Sequence, residues 1–563
     1  MHDDLQMMRQ LQFEKCLLDR QIPCRWVPDM GYGFGFPLFN FYPPLPYMFG
    51  QIFRFMGATF VETARYTFAS AIILSGVAMY YLVKNIFGRA GGVLSSIFYV
   101  WAPYHAVDVY VRGAMNEAWA LVFFPLILLF SMQLIREENI TKRTKWTVLL
   151  AVSYAFLMLS HNLMLMIFTP VFAGWVVLFI AISKNWRIIF NLMISGIMAL
   201  CFSAFFTLPA IVENGLTQIR GQLIGYYDYT AHFVSIKQLL FSNYWGYGPS
   251  VWGVNDDGMS FQVGYIYWIL SIVVALLVLG RCVKLVRQKN LYQHLLNDKV
   301  ALITGYFFVV GWITAFMTHS KSTPIWQLFP QLAYSQFPWR FLTIVIFSFS
   351  LVVGFIPYFL NEYKSTKRWF ARLIISEKKY LVIITLVALV VIPNWNYFLP
   401  ENGKMGPLTD EQKFSGAAWD LQQTAGIYDY LPATAEMAPR EPMHQLVEFM
   451  KGEGSVAESV LGTDWARIRL NVTSDSAVIR LGIFMFPGWK VYVDEVESIN
   501  YVDQDEKWGR MYVDLSPGVH NLRVEFTNTP IRSISNYVSA LTWTTLIFYV
   551  VIKRKSGLAS NKQ

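Results

Sequence analysis

Close to its start the sequence reads HDDLQMMRQ, placing two carboxylates, Asp3 and Asp4, side by side. A carboxylate beside an acceptor hydroxyl can take its proton as a general base. At the N-terminus of a helix the same side chains would complement the macrodipole instead, so capping competes with catalysis. A second group lies in DVYVRGAMNEAWA, where Asp108, Arg112 and Glu117 fall between two apolar stretches. Ionisable residues at such a membrane boundary are functional candidates when they face a bundle interior, although Glu117 also suits a first helical turn. His161, in LSHN, interrupts an apolar run. Its imidazole can serve a structural hydrogen bond or meet a ligand. In YSQFPWRFL, Arg340 enters an apolar run behind Pro338 and Trp339, where a guanidinium either snorkels or clamps a phosphate bidentately. NDDG at 255–258 offers oxygen ligands but has turn composition, and is read as a turn.

What must position these groups is a membrane bundle. Of the 563 residues 55% are hydrophobic and only 15% charged, far from the soluble norm of roughly a quarter charged. About eleven apolar runs are expected to span, at 63–84, 90–104, 118–135, 147–160, 162–183, 188–209, 263–283, 300–318, 338–360, 381–399 and 534–552. The net charge of +9 sits in short basic loops between these runs, which argues for membrane topology and against nucleic acid as a partner. The basic loops 136–146, 183–187, 281–290 and 363–380 and the C-terminal tail all fall on one side, the cytoplasmic one. Residues 1–60, 104–117, 210–262 and 319–337 and the segment 400–533 then lie outside. An outside N-terminus without a preceding span leads us to expect that a first span is missing from this chain.

The outer stretches differ in kind. HDDLQMMRQLQFEKCLLDRQIPCRW reads as an amphipathic helix stopped by Pro23, with Met7, Leu11 and Leu18 on a face suited to the membrane surface. GYGFGFPLFNFYPPLPY is expected to be a fixed non-helical loop, loosened by glycines and broken by prolines. Its rings could stack on sugars or isoprenoid chains, or simply form an interfacial belt. Four cysteines show no ligand-like spacing, so no metal site is expected; Cys16 and Cys24 could pair, but two free thiols are the favoured reading. From about 465 the pattern alternates with period two between Pro/Gly turns, predicting a small β-sandwich-like domain before the last span; 400–455 reads as loop with short helices. The fold class is thus a polytopic α-helical membrane protein: a transmembrane domain over 1–399, an extracytoplasmic domain over 400–533, and a last helix with basic tail over 534–563.

HDD, IPCRW, GYGFGFPLFNFYPPLPY, RGAMNE, SHN and FPWRFL, followed by FPGWKVYVD and SPGVHNLRVEFTNTPIR, resemble the bacterial GT-C-type membrane glycosyltransferases. The group it looks most like is the YfhO-like one, also called 6-pyruvoyl-tetrahydropterin-synthase-related membrane proteins. The resemblance covers nearly the whole chain. It implies transfer of a sugar from a polyprenyl-phosphate donor to a glycan, lipid or protein acceptor in the cell envelope, at the outer face of the bacterial cytoplasmic membrane. By position it implies Asp3 as the catalytic base, with Asp4 as alternative and Glu117 as a second acidic site. Arg9, Asn40, Tyr42, Arg112, His161 and Arg340 are the candidates for binding substrate or phosphate. A divalent cation is a possible cofactor, as some members use one and many do not. The competing readings are a transporter of lipid-linked glycan and a non-catalytic envelope assembly protein.

Overall fold

The computed structural model describes residues 2–218, 223–250, 258–286, 298–364, 379–401 and 408–560. Most of the turn expected at 255–258, part of the basic loop 281–290, most of 363–380 and the last residues of the tail lie outside them. Among the described residues nine helices are long and apolar enough to cross a membrane. Two features account for the difference from eleven. The runs 63–84 and 90–104 are counted once within Phe60–Val100 but are two helices joined at a kink where Gly88 takes φ +84°, a conformation open to glycine, and they pack on each other, with Ser96 Oγ donating to Gly76 O at 2.7 Å. The run 147–160 is the C-terminal half of Ile140–Ser160, whose first turns carry Lys142, Arg143 and Lys145 and dilute its hydropathy.

By its internal contacts the chain divides into two compact units. The first comprises Met1–Asp4, Arg65–Ala199 and Leu223–Gly406, and the second Leu5–Ala64, Leu200–Gln222 and Pro407–Gln563. In the first unit the spans are not equivalent. Pro338–Glu362 and Met115–Arg136 have 94% and 83% of their apolar stretches buried, against 17% for Tyr265–Val283 and Tyr380–Tyr397. The first pair therefore forms the interior of the bundle. Phe124 of one span stacks on Phe168 at 4.3 Å and meets Phe347 of the other edge-on at 6.2 Å. Helices that are apolar all round can be buried this way, because lipid offers them no better partner than each other.

The second unit contains the N-terminal helix Gln6–Leu18, the aromatic loop and the β domain. Its eight strands are β1 Val447–Lys451, β2 Gly454–Leu461, β3 Trp465–Val472, β4 Ala477–Phe484, β5 Trp489–Val493, β6 Val496–Ser498, β7 Arg510–Leu515 and β8 Gly518–Phe526. They form two antiparallel sheets, ordered β1-β4-β7 and β2-β3-β8-β5-β6. In β3, Ala466, Ile468, Leu470 and Val472 are buried while Arg467 and Arg469 are exposed, the alternation of a half-buried strand. Strands begin at Val447, ahead of 465, because β2 is exposed along most of its length and so carries no alternating signal. Short helices at Asp410–Lys413, Gly416–Thr424 and Ile427–Tyr430 precede them.

Four local expectations are corrected. Leu5, not Asp3 or Asp4, stands at the N-cap position of Gln6–Leu18. That helix does not present its apolar face outward: Met7 and Leu11 pack on Phe60, Val61 and Phe414, and Leu18 alone of the three stays exposed. The aromatic loop is partly helical, with Leu38–Phe41 and Leu45–Phe55; Pro46 falls in the first turn, where its missing N–H costs nothing. Its rings are core, with Phe41 against Tyr430 and Phe486, Phe34 against Phe484, and Phe39 between Phe13 and Tyr47. Finally, Cys16 and Cys24 are joined in a disulfide, since the turn after Leu18 returns the chain and brings their Cα atoms to 5.4 Å. Cys201 and Cys282 remain thiols.

Candidate functional site

The segment entering the buried span Met115–Arg136 is irregular. Pro103–Ala106 makes one helical turn and Val107–Arg112 widens into a π-helix, a form often found at functional sites. The widened turn places Asp108 and Arg112 on one face, with Arg112 Nη1 2.5 Å from Asp108 Oδ1. The same nitrogen lies 2.8 Å from Glu117 Oε2, in the first turn of the span. Tyr104 closes the group: its hydroxyl donates to Glu117 Oε1 at 2.9 Å and accepts from Arg112 at 3.1 Å. Arg340 comes from the first turn of the other interior span, with Nε 3.6 Å from Glu117 Oε2 and Nη1 donating to Ser335 O at 2.7 Å. Its neighbour Trp339 lies under the Arg112 guanidinium at 4.6 Å.

These residues form a nearly dry polar cluster. Asp108 and Glu117 are fully buried, and the Arg112 and Arg340 side chains are 8% and 11% exposed. Burial pushes the Asp108 carboxyl well above its usual range, and the Glu117 charge adds to the shift, against the pull of Arg112 and Arg340. Arg112 moves the other way: burial would lower it, but Glu117, Tyr104 and Asp108 hold it firmly charged. Arg340 Nε is buried and makes no hydrogen bond among the described residues.

The other candidates in the first unit surround this cluster. The backbone N–H of Asp3 donates to Arg112 O at 2.8 Å and that of His2 to Val111 O at 2.9 Å, so the N-terminal residues run along the end of the π-helix. Asp3 and Asp4 are half-buried there. His161 stands at the N-cap of Asn162–Ser183, its Nδ1 accepting from the N–H groups of Leu163 and Met164. Burial pushes its imidazole down to about 3; Glu117 opposes this, and Arg340 and Arg112 reinforce it. The turn is tied to the cluster's helix by Asn116, which donates to Ser160 O at 2.9 Å.

Arg9, Asn40 and Tyr42 belong to the second unit. The Arg9 guanidinium lies over the Tyr42 ring at 4.3 Å. Asn40 uses both ends of its amide, accepting from Arg25 Nη1 at 3.0 Å and donating to Glu213 Oε2 at 2.8 Å. Glu213 also takes Arg532 Nε at 2.9 Å and the Thr529 hydroxyl at 2.6 Å. This buried network holds the three segments of the second unit together. The sequence reading named neither Arg25, Glu213 and Arg532 nor Tyr104. Glu213 stands just past the end of one apolar run and Arg532 just ahead of another, boundary positions like that of Arg340, which is the signal that could have found them.

Among the described residues no group of three His, Cys, Asp or Glu converges as a metal ion would require. No family model and no curated protein matches the chain. Among solved structures it is similar to ArnT from Cupriavidus metallidurans bound to undecaprenyl phosphate, with a TM-score of 0.38 and 11% identity, covering 70% of this chain and 71% of that one.

Proposed function

We propose that this multi-pass membrane protein is a glycosyltransferase that moves a sugar from a polyprenyl-phosphate donor to an acceptor of the cell envelope, working at the outer face of the bacterial cytoplasmic membrane. The observation that carries the reading is the buried cluster of Tyr104, Asp108, Arg112, Glu117 and Arg340, at the first turns of the two interior spans and beside the backbone of Asp3. The residue pattern shared with GT-C-type enzymes supports it. The Cys16–Cys24 disulfide supports the outer location of the N-terminal segment, because such bonds persist in oxidising compartments.

The chemistry follows from the charges. In the transfer the acceptor oxygen attacks the anomeric carbon, its proton leaves, and the bond from that carbon to the lipid phosphate oxygen breaks. Asp3 takes the proton, with Asp4 the alternative. The departing phosphate gains negative charge, which needs fixed cations in a site with little water. An Asp108 that keeps its proton leaves Glu117 alone against two guanidiniums, a surplus of one positive charge, and Arg340 Nε is the donor still unspent. Glu117 then serves to hold both arginines in place.

The test is transfer of radiolabel from a panel of polyprenyl-phosphate sugars to a crude envelope fraction by the protein in liposomes. Transfer that is lost in Asp3→Asn, with the protein still folded, would support the reading and its base. Retained transfer in both Asp3→Asn and Asp4→Asn would remove them as base. Flux of the labelled donor with no product would favour a transporter, and neither transfer nor donor binding by folded protein would refute the proposal.

A further inference from the structure

Trp339 lies under the Arg112 guanidinium, and its indole nitrogen is met by a loop of the same unit that stands far from it in sequence. Residues 225–232 of that loop make two short 3₁₀ turns, Gly225–Tyr227 and Tyr229–His232, the second capped by Asp228, which accepts from the Thr230 N–H at 2.9 Å. The loop is pinned on both sides of His232. Tyr229 stacks on Trp326 at 4.8 Å, and the Val234 N–H donates to Thr318 O at 2.8 Å. His232 is thereby buried, its ring edge-on to Phe337 at 4.7 Å.

The polar atoms here admit one order. His232 Nε2 lies 2.5 Å from Tyr226 O, and a carbonyl can only accept, so Nε2 carries the proton. Burial keeps the imidazole below its ordinary range and therefore neutral; the Tyr226 carbonyl and Asp228 oppose this, and Arg340 reinforces it. Nδ1 is then an acceptor, and the Ser250 hydroxyl 2.9 Å away donates to it. Ser250 Oγ in turn accepts from Trp339 Nε1–H at 2.8 Å. The donors run one way, from indole to hydroxyl to imidazole to carbonyl, and His232, Ser250 and Trp339 are 4%, 3% and 2% exposed, so water does not compete. Such chains strengthen bond by bond.

The consequence lies at Arg112. Its contacts with Asp108, Glu117 and Tyr104 all fall on Nη1, which fixes one atom and leaves the tilt of the guanidinium to the ring beneath it. That ring is Trp339, 4.6 Å from the guanidinium, with Phe337 stacked on it at 4.8 Å and within 18° of parallel. A hydrogen bond at Nε1 sets the rotation of the indole, and with it the face offered to the cation. We propose that Ser250 and His232 are positioning residues for the phosphate site, holding Trp339 so that the Arg112 guanidinium is presented to the lipid phosphate.

This rests on the transferase reading, and the test separates the two. Full-length protein in nanodiscs is titrated with farnesyl phosphate, and with farnesol as the uncharged comparison, following heat. Ser250→Ala, His232→Ala and Trp339→Phe each break the chain and should weaken farnesyl phosphate roughly threefold to tenfold, the worth of one buried hydrogen bond, with farnesol unaffected. Ser250→Ala added to Trp339→Phe should cost nothing more, since both remove the same bond. Melting curves check the fold, and any variant that stays folded decides the outcome. An equal loss for farnesol, additive losses in the double variant, or unchanged affinity in folded variants would overturn the proposal. Arg340→Gln reports on the site itself: wild type that does not bind farnesyl phosphate, or binding that survives this change, refutes the phosphate site and the positioning with it. Loss in Arg340→Gln without loss in Ser250→Ala refutes the positioning alone.

Discussion

Replacing Glu117 by Gln and Asp108 by Asn removes one carboxylate each from the same buried cluster, yet the two substitutions should differ sharply. Glu117 faces Arg112 at 2.8 Å and Arg340 at 3.6 Å. At an effective dielectric of about 20 these separations correspond to ~6 and ~5 kcal/mol of attraction. Spreading of the guanidinium charge and desolvation reduce the observable loss to about 3–5 kcal/mol, the usual cost of stranding a buried charge. Asp108, whose carboxyl is driven toward its protonated form by burial, is already mimicked by Asn, so that change should cost under about 1 kcal/mol. The measurement is reversible unfolding in mixed SDS micelles at neutral pH, with the double variant Glu117→Gln/Arg340→Met included. Removing the second guanidinium relieves the stranded charge, so the double variant should be less destabilised than the sum of the singles by at least about 1 kcal/mol. There is also a pH signature. Because the folded pKa of Asp108 is raised above its unfolded value, its contribution is present at low pH and lost as pH rises through the folded value; in Asp108→Asn that loss disappears. Equal costs for the two substitutions, or a larger one for Asp108→Asn, would refute the assignment of the proton to Asp108 and with it the surplus positive charge.

Three further outcomes are expected. Asp464, pushed up to about 6 by burial and by the neighbouring Asp19 and Glu525 carboxylates, destabilises the folded state as pH rises from its unfolded value through about 6. Discounted for partial exposure, Asp464→Asn should stabilise by about 1 kcal/mol at pH 7.5 and by almost nothing near pH 4, as read from unfolding at the two pH values. Opening the Cys16–Cys24 bridge by the double Ser variant should cost ~2.5 kcal/mol for a loop of this length, and thiol labelling of the unreduced wild type should detect neither cysteine. Gly35 has φ +84°, and a Cβ there would clash with the Trp26 indole, so Gly35→Ala should lose most of its monodisperse protein on size exclusion; a normal yield would contradict the packing of Trp26.

The membrane class was legible because hydropathy is a property of contiguous residues, and the alternating strands from β3 onward for the same reason. What stayed hidden depends on partners remote in sequence. Asn40 stood in an aromatic stretch that suggested ligand contact, but its amide is engaged by Arg25 and Glu213, 15 and 173 residues away. The aromatic loop looked like a display of rings, and only the β domain of the same unit shows that Phe34 and Phe41 are core. The cysteines, eight apart, would have stood about 12 Å apart along a continuous helix; the turn after Leu18 makes the bridge possible.

The two buried networks show why ionisable residues in apolar sequence are an ambiguous signal. Both exist because a charge removed from water must be paired and hydrogen-bonded. In the second unit Glu213 takes Thr529 on one oxygen and Asn40 and Arg532 on the other, while Arg532 Nη1 donates to Pro487 O at 3.0 Å. Its partners come from the aromatic loop, the end of one span and the first turn of the last, which is the pattern of a structural clamp. In the first unit the cluster gathers on an irregular turn, a setting in which backbone can adjust to a ligand, and it leaves Arg340 Nε without an acceptor. Glu213 and Glu117 are both buried beside an arginine, yet the sequence pattern singled out Glu117 alone. The distinction lies in the backbone that carries them: Glu213 follows a regular span, whereas Glu117 follows a π-helical turn.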